Sequence, residues 1–318
     1  FAGEAFAGLA LVLVVLVIVA ELFMAELVGV LAGGYGPDDP RLPLAVELSH
    51  LTFPYILFIS LAALLGGLLN AVGRFGAAAF APVLLNVVLI AALLASPWLP
   101  VGPAHALAWG VLIAGIAQLA FLTRAAARAQ VLPTLTRPRW NPRVRRLSLL
   151  VLPGAFGAGV AQVNMLVDLW FASHLPPGAQ SYLFYADRLN QLPLGVVGIA
   201  VGTALLPVLA REVAAGAAGP ARGTLNRAIH LALLLTLPAT AALLLIAQPI
   251  VVALFERGAF DAAASRATAA TVQAFAVGLP AYVLVKVMAP AFFAREDTRT
   301  PVIVAALALI ANVALILL

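Results

Sequence analysis

The stretch "SYLFYADRLNQLPLGVVGIAVGTALLP", residues 181–207, sets Asp187 and Arg188 at the head of a long run without another charge. A charge at the centre of a membrane helix costs ~2.5–3.5 kcal/mol on insertion scales, so such a pair needs a partner or water. If the run is helical, Arg188, Gln191, Gly195 and Gly202 fall on one stripe, with Asp187, Asn190 and Gly198 beside it. The polar end and the small-residue end would then share a face. Three uses of that face compete. Asp187 could pair with Arg188 near the interface while Gly198-x-x-x-Gly202 serves close packing. Arg188 could snorkel to the outer headgroups. Or both could line a hydrated cavity, where a guanidinium grips phosphate in a fork that Lys cannot match. Pro193 would loosen the helix at that level.

Other polar groups interrupt apolar runs. In "QVNMLVD", Asn164 and Asp168 are four apart and so share a face, with Gly157 two turns below. They could supply oxygens to a cation, an interhelical hydrogen bond, or a salt bridge to Arg188. Asn312 is a further ligand or a packing contact. Lys286 could snorkel or line a cavity, and Asn70, Asn86 and Gln118 are candidate cavity groups. His230 reads as interfacial, and Glu21 and Glu26 approach the outer end of the first apolar run. No nucleotide-binding loop, zinc spacing or hydrolytic triad is present, and the absence of cysteine excludes disulfides and thiolate metal sites. The chain is therefore expected to be no enzyme.

The solvent these groups meet follows from composition. Of 318 residues, 64% are hydrophobic and 10% charged, with a mean hydropathy of +1.09. Soluble domains are roughly half apolar and a quarter charged, so this is an integral membrane protein. Nine runs approach the ~20 residues a spanning helix needs: about 5–32, 50–72, 79–97, 104–123, 149–173, 182–210, 228–254, 267–293 and 301–318. Lipid leaves unpaired backbone groups too costly, and barrel alternation is lacking, so the expected fold is an all-α polytopic helix bundle.

Charge gives the orientation. The segments around Arg74, 124–146, 211–227 and 295–299 collect 13 arginines, and the alternate segments hold three. By the positive-inside rule the first group is cytoplasmic, which also accounts for the net charge of +5 without nucleic acid. The Arg-rich 124–148 segment divides the chain into an N-terminal part, 1–123, with four helices, and a C-terminal part, 149–318, with five. The first helix runs outward, so an even number of spans is expected before it.

"YADRLNQLPLGVVGIAVGTALLPVLAR" closely resembles the hallmark segment of the MurJ/MviN family of lipid II flippases. The likeness extends through "FPYILFISLAALLGGLLNAVGRFGAAAFAPVLLN", "LAWGVLIAGIAQL" and "VKVMAPAFFAREDTRTPV". It implies two pseudo-repeated lobes around a central cavity. This chain would supply the third to eleventh helices, without the first two and the last few. It implies substrate contacts at Arg188 and Asp187, with Gln191 where some members carry an acid; Asn86 and Lys286 join them as candidate cavity groups. Asp168 and Asn312 resemble positions of a sodium site in some members, although Ile316 stands where a further acid is usual.

The function so implied is movement of lipid II from the inner to the outer leaflet of the bacterial inner membrane by alternating access. Membrane potential, and in some members sodium, would drive it, with no other cofactor. Expected partners are lipid II, membrane lipids and cell-wall synthesis proteins. Alternatives are an O-antigen-type polysaccharide flippase, a multidrug antiporter, or a non-transporting scaffold for cell-wall assembly.

Overall fold

The structure is a computed structural model that describes residues 2–36, 38–134, 159, 162–163, 165–297 and 299–316. Two compact units divide it, Phe1–Ala158 and Gly159–Leu318. All regular elements among the described residues are helical. Among the described residues seven helices are long and apolar enough to cross a membrane, where nine were expected of the whole chain. The ninth expected span, 301–318, is a shorter apolar helix, Arg299–Leu315. The fifth, 149–173, lies largely outside the described residues, as do most of 124–148, Gly157 and Asn164.

In the first unit, α1 (Ala2–Leu22) breaks at Phe23 and continues as α2 (Met24–Leu31). The chain then re-enters earlier than hydropathy suggests, in α3 (Arg41–Thr52). Asp39 starts this helix by accepting the Arg41 backbone N–H at 2.9 Å, while the Arg41 guanidinium forks onto the same carboxylate at 2.6 and 3.0 Å. That guanidinium also lies 4.3 Å above the Tyr35 ring. Pro54 cannot donate an N–H and has a fixed φ, so it begins a new helix, α4 (Tyr55–Ala71). Gly73, at φ +76°, makes the tight turn into α5 (Phe75–Ala95), and Pro103 opens α6 (Pro103–Arg128).

These helices close on small residues and one buried amide. A β-carbon at Gly115 would lie 2.6 Å from the Tyr55 ring, and one at Gly110 would lie 3.0 Å from Ala92. Gln118 is 1% exposed, donates to the Ala81 carbonyl at 2.9 Å and accepts from the Tyr55 hydroxyl at 3.1 Å. It is a tie among α4, α5 and α6 rather than the cavity group expected.

In the second unit, residues 165–173 are helical and Gly178 (φ +96°) turns the chain into α7 (Ala179–Pro193). A π-helical segment, Leu194–Ile199, leads into α8 (Ala200–Ala214). Next come α9 (Ala218–Leu245), α10 (Ala247–Phe255), α11 (Ala262–Phe293) and α12 (Arg299–Ile316). Asp261 caps α11 by accepting the Ala264 N–H at 2.8 Å. The central staff is α11. Its Val272, Ala276, Leu279, Val283 and Val287 recur at helical spacing and pack on Ala186, Leu189 and Leu205 from the α7–α8 run and on Ala232 and Leu243 from α9. Large apolar side chains remain exposed along most spans, as expected of helices that face acyl chains.

Candidate functional site

The α7 helix brings Asp187, Arg188 and Gln191 into a single turn, as the i, i+3 and i+4 spacing requires. Asp187 and Arg188 do not pair directly. Gln191 stands between them, donating from Nε2 to Asp187 Oδ2 at 2.5 Å and accepting from Arg188 Nη1 at 3.3 Å on Oε1. The Arg188 guanidinium also stacks 4.8 Å over the Phe184 ring. Arg188 is exposed, and its Nε and Nη2 have no hydrogen-bond partner among the described residues. A guanidinium held by one edge and one face thus keeps two donors for an incoming oxyanion.

Lys286 comes to the same run from α11, but at the other end of it. A β-carbon at Gly198 would sit 3.4 Å from the Lys286 Cβ, and one at Gly202 would sit 2.6 Å from the Lys286 carbonyl oxygen. The Gly-x-x-x-Gly packing expected from the sequence is therefore a seam against α11, with the Lys286 side chain exposed beside it. The shared face expected for Arg188 and these glycines is not observed. Arg188 and Gln191 are exposed, whereas Gly198 and Gly202 are buried. The π-helical segment after Pro193 interrupts the 3.6-residue period on which that expectation rested.

Asp168 and Asn312 meet, with Asn312 Nδ2 donating to Asp168 Oδ1 at 3.1 Å. No cluster of three acidic, His or Cys residues suited to a metal occurs among the described residues. The Asp168–Asn312 contact is an interhelical hydrogen bond. Asn164, its expected companion, is outside the described residues.

The remaining candidates lie elsewhere. Asn86 is an exposed residue of α5 and Asn70 an exposed residue of α4, both in the first unit. Sequence patterns did not reveal two His–carboxylate pairs in that unit: Glu21 Oε2 to His50 Nδ1 at 2.5 Å, and Glu47 Oε1 to His105 Nε2 at 3.1 Å. Their sequence separations carry no local signal. Small clefts of about 30 and 120 Å³ adjoin Leu225, Ala291 and Arg295 at the opposite end of α11 from its Asp261 cap. They have room for only a few waters.

Apolar spans carrying an exposed, partly engaged cation define a multi-pass helical membrane protein. A family profile described as "Lipid II flippase MurJ" matches residues 1–318. The chain belongs to this family, which is one of transporters rather than enzymes. It is 45% identical over 322 residues to a probable lipid II flippase MurJ of Rhizobium meliloti, covering 100% of this chain and 60% of that protein. A counterpart in Rickettsia prowazekii is 34% identical, covering 98% of this chain and 61% of its own length. In fold the chain is similar to a solved "Lipid II flippase MurJ, inward closed conformation", with a TM-score of 0.84 at 24% identity over 99% of this chain and 65% of that one. The chain spans about 60% of the length of these curated relatives.

Proposed function

We propose that the intact gene product is a lipid II flippase of the bacterial inner membrane, carrying the lipid-linked peptidoglycan precursor from the inner to the outer leaflet by alternating access. The observation that carries this reading is the Arg188 guanidinium, steadied by Gln191 and Phe184 yet with Nε and Nη2 unengaged among the described residues. Family membership over the whole chain supports the assignment of substrate class.

The physical logic starts from the cargo. Lipid II carries a pyrophosphate and a sugar-peptide head that hydrocarbon rejects, so the head needs a wet, cationic path while its polyprenyl tail stays in lipid. Arg188 would meet the pyrophosphate oxygens through its two unengaged donors, with Asp187 and Gln191 fixing its aim. Lys286, exposed in the same unit, would line the same path. A charge that moves across the membrane during reorientation responds to potential by ~2.3 kcal/mol per 100 mV. Membrane lipids and cell-wall synthesis proteins are the remaining partners of this reading.

The test is rescue of a flippase-depleted bacterium by the intact gene product, with lipid II measured in the outer leaflet. Rescue with restored outer-leaflet lipid II is expected. Membrane insertion without rescue would refute the assignment.

A further inference from the structure

We infer that the wide turn Leu194–Ile199 is a positioning element that aims Arg188 away from α11. This rests on the proposed function for what Arg188 meets, but the orientation itself follows from the helix. In an unbroken α-helix, 14 residues at about 100° each would bring Arg188 within about 40° of Gly202. Gly202 is pressed against the Lys286 carbonyl, so the cation would point towards the buried side. A π-helical turn closes over one residue more than an α-helical one, which rotates everything before it by about 100° relative to everything after. Arg188 then lies about 140° from Gly202.

Burial on the two sides of the turn agrees. Before it, Ala186, Leu189 and Asn190 are buried; after it, Gly202, Leu205 and Leu209 are. Continued as one α-helix, these two buried faces would diverge by about 140°, and the extra residue reduces that to about 40°. The same insertion that keeps α7 and α8 on one side of α11 therefore holds Arg188 and Gln191 on the other. The sequence provides for it locally. Pro193 has no N–H to give, and a β-carbon at Gly198 would crowd Leu194 at 3.3 Å.

Register, not side-chain identity, is the property to test. Val196 is 73% exposed, so deleting it removes no core side chain. In the intact gene product, Val196→Ala should rescue a flippase-depleted strain, and deletion of Val196 should abolish rescue while leaving membrane abundance unchanged. Adding one Ala after Leu194 to the deletion variant should restore rescue. Orientation is read separately, by labelling Arg188→Cys with a membrane-impermeant maleimide in a background without other cysteines. Labelling is expected at parental length and its loss on deletion of Val196. Equal labelling at both lengths, rescue by the deletion variant, or no recovery on reinsertion would overturn the inference, as would no labelling at either length. If the deletion variant does not reach the membrane, an insertion variant with one Ala after Val196 makes the same test. Loss of both from the membrane would show a need for folding rather than aim and would equally overturn it. Failure of the parental chain to rescue, with labelling as expected, defeats only the lipid II assignment.

Discussion

Lys286 turns its backbone carbonyl towards Gly202 so closely that a β-carbon there would lie 2.6 Å from the oxygen. A main-chain atom cannot step aside as a flexible side chain can. Gly202→Ala should therefore push α8 and α11 apart and cost about 1–3 kcal/mol, in the range of overpacked cores. Thermal unfolding of the intact protein in detergent would show it, with Gly195→Ala, which meets no atom within 4 Å, as the mild control.

Arg188→Ala should abolish rescue while leaving membrane insertion intact. Arg188→Lys separates charge from geometry. Since the reading relies on two donors in a fork, the Lys variant should be clearly impaired, and outer-leaflet lipid II is the measurement. Normal export by Arg188→Lys would leave only a role for charge.

Gln118 satisfies both the Ala81 carbonyl and the Tyr55 hydroxyl in a site closed to solvent. Gln118→Leu keeps the bulk and leaves the Tyr55 hydroxyl stranded, a loss of about 1–3 kcal/mol. Adding Tyr55→Phe should recover part of it, because the stranded hydroxyl is then gone. Unfolding midpoints of the two variants decide the matter.

The Asp168–Asn312 contact predicts coupling between two helices distant in sequence. A double-mutant cycle with Asp168→Ala and Asn312→Ala should give an interaction of about 0.6 kcal/mol, typical of hydrogen bonds within membranes. Strictly additive stabilities would remove the contact from consideration.

Asp297 begins α12 by accepting the Thr300 hydroxyl at 2.6 Å, the Thr300 N–H at 3.0 Å and the Arg299 N–H at 3.1 Å. These bonds, with the Thr300 hydroxyl foremost, hold its carboxyl below the usual value of 3.8. A depressed carboxyl stabilises the folded state above its unfolded value and loses that contribution as pH falls through the folded one. Protection of the Arg299 and Thr300 amides from exchange, relative to the unfolded rate, should thus fall only below about pH 4, and Asp297→Ala should lower it throughout.

Much of this was legible in the sequence because membrane helices announce themselves by length and Asp187, Arg188 and Gln191 need only a local period to meet. What escaped depended on register or on distant partners. Pro193 signals a loosened helix but not a whole extra residue, so the face shared by Arg188 and Gly202 was misjudged. Gln118 is a polar residue in an apolar run, and nothing nearby says that Ala81 and Tyr55 await it. The early start of α3 did leave a trace, since Asp39-Pro40-Arg41 is an acidic cap followed by a residue with fixed φ. Hydropathy hid it, because Arg41, Glu47 and His50 dilute the run.

The amide of Gln118 joins α4, α5 and α6 through a single side chain, and Gly110 and Gly115 remove the slack around it. Helices tied at such close quarters cannot slide past one another without stranding a polar atom in grease. The three helices therefore hold together as one stiff block, in which no member shifts alone without breaking a hydrogen bond that water cannot replace.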